Sequence, residues 1–385
     1  MGKISVGFFT QTNLALLGGG ERLALELVNH LKTSFDVDLF HNPLNDNYSV
    51  AELKKYSEFA DIEPKEVTYQ GFPWPINTLY RPLPPPSSLT YDVNLIMVYR
   101  PPPPSYLKNI MSTKAKVAFL LHGIGLDRVI QGNLKYTIYQ VLMRRALKAA
   151  ANIAKKSNNI FFQTLNNTQY NYLSSVLRNT SKIFLIENGV HFEKYRVGLN
   201  TEHFRVIFIG RMSDRDKGIR RLRKVILHTA QINPEIQFLI AGRGPDSALV
   251  TTIPTKNYRY LGYITEEQKI RALESSNLIL STSNLEPFPL VLLEGLASGL
   301  PIISTPTSGP KHIIGYSKAF GNLTSWDPAE IAKNILNKYK QWNESINEYN
   351  QQKTMIRETA EKHFDWKRMA EKYSTMIKVI HQYSK

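Results

Sequence analysis

Two carboxylates, Glu286 and Glu294, stand eight positions apart in the stretch STSNLEPFPLVLLEGLASGLPIISTPTSGP, residues 281–310. Two cations, Arg211 and Lys217, share the segment GRMSDRDKG, residues 210–218. A guanidinium fork and an ammonium both suit phosphate oxygens. Carboxylates repel a bare phosphate but accept hydrogen bonds from sugar hydroxyls. Phosphate and hydroxyls together describe a nucleotide-sugar. The plainer alternative is a set of surface charges on ordinary βα units.

The two glutamates face one crevice only if the elements around them are arranged in one way. An apolar strand over Leu278 to Leu280 runs into a polar loop holding Glu286. Pro287 and Pro289 push Glu286 and Phe288 towards extended backbone, which keeps Glu286 in the loop. A helix opens at Pro289, with the free N–H groups of Leu290 and Val291 available to an anion. Glu294 lies a turn inside it, Gly299 closes it, and Pro301 to Ser304 forms the next strand.

This stretch resembles the E-x7-E signature of the retaining GT-B glycosyltransferases of family 4. The likeness extends to GGGER (18–22), HG (122–123), ENGV (187–190), GRMSDRDKG (210–218) and AGRGP (241–245), in the family's order and with family-like spacing. It implies an α/β fold of two Rossmann-like domains with an interdomain cleft. The implied boundaries are 1–195 for the acceptor-side domain, 203–365 for the nucleotide-sugar domain, and 366–385 for a helix returning to the first domain. It implies that Arg211 and Lys217 hold the donor diphosphate, Glu286 the sugar hydroxyls and Glu294 the ribose. The base would lie near Gly242, Gly244, Tyr263 and Ile264, with Phe288, Leu290 and Val291 also on the donor. Gly19 and Gly20 would approach donor phosphate and acceptor, and His122 the donor sugar.

The implied reaction moves a sugar from a nucleotide-diphosphate sugar to a hydroxyl of a glycan or lipid-linked glycan, with retention of configuration. No metal or other cofactor is expected. Asp214 and Asp216 form a D-x-D, but a metal there would compete with Arg211, Arg215 and Lys217 for the same phosphates. Three positions depart from the family pattern. Pro289 stands where Gly is common and removes a backbone donor, His312 replaces the usual glutamate in SGPKHI, and His191 replaces the Asp of NGVD. The neighbouring readings are a sugar-nucleotide epimerase and a catalytically lapsed nucleotide-sugar-binding partner subunit.

At 385 residues the chain is long enough for two cores. The absence of Cys excludes disulfides, thiolate catalysis and Cys-ligated zinc. No apolar run reaches the ~20 residues of a membrane span. MGKISVGFF reads as a strand and not as a cleavable signal, so the expected compartment is the cytoplasm. The net charge of +16 is uneven: residues 101–200 carry 14 Lys and Arg against 3 Asp and Glu, and residues 1–100 carry 8 against 11. Part of the excess sits on an expected amphipathic helix, 134–156, with Arg144, Arg145, Lys148, Lys155 and Lys156. Such a helix lies on an anionic membrane surface or is a solvated face over a core stripe. Membrane contact, peripheral on the inner face, is favoured because many family members use lipid-linked acceptors. No nucleic-acid module is present, so nucleic acid is not an expected partner.

The remaining elements follow the same alternation. Ile4 to Phe9 is a strand, then a Gly-rich loop and a helix from about Glu21 to Lys32. Phe35 to Phe40 is a strand whose Asp36-Val37-Asp38 reads as outward polar positions. A helix is expected near Val50 to Phe59. RPLPPP (81–86) and RPPPP (100–104) read as extended loops around the strand Val93 to Tyr99. Strands over Lys116 to Leu121, Asn159 to Gln163 and Lys182 to Ile186 complete the first sheet. Strands over Arg205 to Ile209, Gln237 to Ile240 and Tyr258 to Leu261 begin the second, with Thr265 as a helix N-cap.

Overall fold

A computed structural model describes residues 2–12, 14, 19–42, 61–71, 80–127, 134–199 and 202–383. The helix expected near Val50 to Phe59 lies outside them. The chain divides into two compact units, 1–187 with 369–385, and 188–368.

In the first unit the order is β1 (Ser5–Thr10), α1 (Gly19–Leu31), β2 (Asp36–His41), β3 (Lys65–Glu66), β4 (Val93–Val98), α2 (Pro104–Met111), β5 (Val117–Leu121), α3 (Leu134–Ala154), β6 (Ile160–Thr164), α4 (Asn167–Leu177) and β7 (Ile183–Leu185). The strands form one parallel sheet in the order β3-β2-β1-β4-β5-β6-β7. β4 (VNLIMV) and β5 (VAFLL) are buried at every position, as strands covered on both faces must be.

The second unit holds β8 (Arg205–Ile209), α5 (Asp214–Lys217), α6 (Ile219–Ile232), β9 (Gln237–Ala241), α7 (Ala248–Thr251), β10 (Tyr258–Gly262), α8 (Glu266–Glu274), β11 (Leu278–Ser281), α9 (Leu290–Ala297), β12 (Ile302–Ser304), α10 (Ser308–Ile314), β13 (Gly321–Leu323), α11 (Pro328–Glu344) and α12 (Ile346–Phe364). Its parallel sheet runs β10-β9-β8-β11-β12-β13. A last helix, α13 (Trp366–Gln382), follows α12 after a single extended residue, Asp365. Residues 369–385 belong to the first unit.

Both sheets begin at a central strand, run outward to one edge, and resume on the other side of the first strand. The order reverses between β1 and β4 and between β8 and β11. In open α/β sheets the crevice beyond the carboxyl ends at such a reversal is where ligands bind. Two sequence expectations about the first unit differ from the structure. Gly19 and Gly20 open α1 instead of lying in the loop before it. The proline runs are not wholly extended. Pro86 starts a 3-10 turn and Pro104 opens α2 with its missing N–H at a position that needs none. Leu83, which interrupts the prolines of its run, exchanges backbone hydrogen bonds with Gln70.

Candidate active site

At the β8/β11 reversal two loops are joined side by side. The loop after β11 donates the N–H groups of Asn284 and Leu285 to the Asp216 carbonyl, at 2.8 and 3.3 Å. Thr282 Oγ1 donates to the Lys217 carbonyl at 2.8 Å, and Asn284 Nδ2 to the carbonyl of Asp214 at 2.9 Å. The Arg221 guanidinium braces the far side, donating to Thr282 O (2.7 Å), Asn284 Oδ1 (2.9 Å) and Trp326 O (3.0 Å). Gly218 allows the close approach. It has φ +65°, and a Cβ there would lie 2.3 Å from the Thr282 carbonyl.

This joint brings Lys217 and Glu286 together as an ion pair, with side chains 22% and 11% exposed. Ser283 Oγ donates to Glu286 Oε2 at 3.3 Å. The Glu286 backbone carbonyl accepts from Gly309 N at 2.8 Å, and a Cβ at Gly309 would collide with the carbonyls of Glu286 and Pro287. The glutamate is therefore fixed from both sides. Arg211, one residue past the end of β8 and Gly210, is exposed. Asp214 and Asp216 are engaged locally: Asp214 accepts from Arg220 N of α6 at 2.6 Å and Asp216 from Ser213 Oγ at 3.2 Å.

The loop after β9 packs onto the loop after β8. Gly242 has φ +132°, and a Cβ on it would fall 1.8 Å from the Gly210 carbonyl; one on Gly244 would fall 2.4 Å from that of Met212. Glycine is required at both positions for this approach. Between them Arg243 stacks over Tyr263, 4.8 Å from the ring centre, and Tyr263 is 64% exposed. Ile264 follows it, and Thr265 then caps α8 with a reciprocal capping box to Gln268. Pro289 is the N-cap of α9, and Leu290 and Val291 are its first two residues. Glu294 pairs with Lys269 at 2.5 Å. Phe288 is buried, its ring against His312 and Phe364, so that ring is committed to packing.

In the first unit the β1/β4 reversal holds Gln11 and Tyr99. Gln11 Oε1 accepts from Tyr99 N at 2.9 Å, and Gln11 Nε2 donates to Pro82 O at 3.0 Å. Tyr99 fills the space between two glycines. A Cβ on Gly20 would lie 2.2 Å from its hydroxyl, and one on Gly123 2.7 Å from its Cα. His122, just past β5, is partly buried, with Nε2 3.3 Å from the Tyr373 hydroxyl. Desolvation pushes its pKa down to about 3, so the imidazole is neutral at pH 7. Its loop is held by the buried Gln169, which donates to Leu121 O (3.0 Å) and Ile124 O (2.6 Å) and accepts from Leu165 N (2.7 Å).

Sequence pattern alone does not mark Lys269, Arg221, Thr282, Asn284, Tyr99, Gln11 or Gln169. Only Lys269 leaves a readable trace, one turn beyond Glu266 in a capped helix. The second unit also has a cavity of about 910 Å³, lined by residues such as Arg205, Gln237, Tyr258 and Tyr339. It opens at the amino ends of β8, β9 and β10, away from the paired loops.

Comparison with known proteins places a family match in the second unit. Residues 203–341 match the family model described as "Glycosyl transferases group 1". The match runs from β8 into α11, and Arg211, Lys217, Glu286 and Glu294 lie within it. Residues 203–341 are a group 1 glycosyl transferase domain.

Relatives of the chain include one component of the phosphatidylinositol N-acetylglucosaminyltransferase of Arabidopsis thaliana, 26% identical over 37% of this chain and 34% of that protein. The phosphatidyl-myo-inositol mannosyltransferase of Mycobacterium leprae is 24% identical over 33% and 35%. The chain thus aligns with about a third of the length of these curated relatives. Among solved structures, sucrose-phosphate synthase from Thermosynechococcus elongatus superposes with a TM-score of 0.73 at 16% identity, over 99% of this chain and 100% of that one. Anabaena HepE in complex with UDP and glucose gives 0.69 at 16% identity, over 97% and 99%. At these identities the likeness establishes the fold: two Rossmann-like parallel sheets, as in GT-B proteins. The group 1 domain is the second of them.

Proposed function

We propose that the protein is a retaining glycosyltransferase that moves a sugar from a nucleoside-diphosphate sugar to a hydroxyl of a glycan or lipid-linked glycan, without a metal. The observation that carries this reading is the Lys217–Glu286 pair at the strand-order reversal of the group 1 domain. Departure of the diphosphate concentrates negative charge on the leaving oxygen, and fixed cations there lower the barrier. Lys217 has three N–H donors, so it can stay on Glu286 and still reach a phosphate oxygen. Arg211 adds a planar fork. Glu286, held by Ser283 and Gly309, takes the sugar hydroxyls and supports the developing positive charge as a positioning and electrostatic group, not as a covalent nucleophile. Glu294 takes the ribose hydroxyls, and the base stacks near the Arg243–Tyr263 pair beside Gly242, Gly244 and Ile264. Gly19, Gly20 and the neutral His122 act on the sugar and acceptor.

The acceptor reading includes contact with an anionic membrane. On α3, Ile138, Val141 and Leu142 are 51%, 43% and 36% exposed, with Arg145 and Lys148 continuing the same face. Apolar anchors beside cations favour an anionic bilayer. Sedimentation with phosphatidylglycerol vesicles, lost in Ile138→Glu/Leu142→Glu, is the expected result; equal sedimentation of both proteins rejects membrane contact.

The central experiment screens UDP-, GDP- and ADP-sugars for thermal stabilisation, then for hydrolysis without acceptor in the presence of EDTA. A donor at 100 times its Kd should add about 2.7 kcal/mol. Stabilisation together with slow hydrolysis supports the enzyme. Stabilisation without any turnover points to a lapsed binder, and no stabilisation by any donor refutes the proposal.

A further inference from the structure

Glu294 belongs to a four-residue group. Lys269 Nζ is 2.5 Å from Glu294 Oε1 and 2.7 Å from Glu266 Oε1. The Tyr195 hydroxyl lies 3.4 Å from Glu266 Oε1, with the Tyr195 side chain buried. The Lys269 and Glu294 side chains are 14% and 15% exposed. α8 supplies Glu266 and Lys269, α9 supplies Glu294, and the chain after the Phe192–Lys194 turn supplies Tyr195. Arg357 fixes that turn, donating to Tyr195 O at 2.8 Å and Phe192 O at 2.7 Å.

Two carboxylates share one ammonium here. Burial alone would lower the Lys269 pKa, but Glu294 and Glu266 hold it above its usual value. Burial, then the Glu294 and Glu266 charges, keep the Tyr195 phenol protonated. An ionised carboxylate offers both of its oxygens to the two hydroxyls of a ribose. Lys269 is the cation that both carboxylates share, and the Glu294 side chain is the drier of the two acids, 15% exposed against 37% for Glu266.

We propose that Lys269 is the positioning and specificity-determining residue of the ribose subsite, holding and aiming the Glu294 carboxylate while Tyr195 holds Glu266 to the same ammonium. The inference rests on the proposal that Glu294 receives the ribose. It makes the preference for a ribose over a sugar lacking both hydroxyls depend on a residue that need not touch the nucleotide.

Calorimetric titration with UDP, GDP and ADP and their 2′,3′-dideoxy forms, between pH 5.5 and 8.5, tests this. The wild-type protein should prefer the ribo form of its nucleotide at all these pH values. Lys269→Met should lose most of that preference. Lys269→Arg should behave as wild type. If Lys269→Met does not fold, Lys269→Gln gives the same reading, its amide being too short to reach both carboxylates. Ribo preference surviving in Lys269→Met or Lys269→Gln overturns the inference alone. Equal wild-type affinity for ribo and dideoxy forms overturns the ribose reading, and the inference with it.

Discussion

Single side chains decide how the chemistry divides. In the proposed reaction Lys217 and Arg211 meet the leaving-group charge, so Lys217→Ala or Arg211→Ala should lower transfer by about 100-fold or more, as for loss of one oxyanion donor. Initial rates with a saturating donor check this, and near-normal turnover in either variant removes its assignment. His122 gives a stability effect of known sign. Its folded pKa, about 3, lies below the unfolded value of about 6.5. Between those values the unfolded chain binds the extra proton. The contribution of neutral His122 is therefore complete above about pH 6.5 and is lost as pH falls towards 3. Denaturant titrations from pH 7 to 4 should show stability falling with pH, less steeply in His122→Gln. An identical slope in both proteins would mean that the ring is not desolvated as described.

The elements show which parts of the structure could be read from sequence. Strand periodicity, the Thr265 cap and the helix between Pro289 and Gly299 are local properties, written in short stretches of chain. The two-residue shift at α1 is not, because glycines usually signal a loop; here Gly20 is required by Tyr99, far along the chain. The partners of the recognised acids are equally hidden. Lys269 meets Glu294 only after α8 and α9 have packed, and Arg221 braces the Glu286 loop only once β8 and β11 are neighbours. The resemblance puts Phe288 on the donor, and only the packed structure shows its ring set against His312 and Phe364. The Tyr99 wedge gives a test at this scale. Gly20→Ala should cost about 1–3 kcal/mol by overpacking, although alanine is the better helix former. In a Tyr99→Phe background, where the obstructing hydroxyl is gone, the same change should be nearly neutral. Equal penalties in both backgrounds, measured by chemical denaturation, would show that Tyr99 is not the obstacle.

At the scale of the whole chain, sequence order and structural membership part company. α13 follows the second unit in sequence, yet its residues from Met369 onward complete the first. Tyr373, Met376, Ile377 and Ile380 are buried there, Tyr383 lies edge-on to Phe161 at 5.1 Å, and Lys372 pairs with the buried Glu187 at 2.7 Å. Deleting residues 369–385 should therefore weaken hydrogen-exchange protection of β5 and β6 far more than that of β8 and β11. Uniform loss across both sheets would contradict this division.

The same arrangement sets an order of events on the ribosome. Residues 188–368 are contiguous and can settle as soon as they emerge, whereas the earlier-made sheet must wait for residues 369–385. At about 5–20 residues per second that delay is roughly 10–40 s. During it the Phe161 side of the nascent sheet has no cover, and this interval is when the growing chain most needs a chaperone.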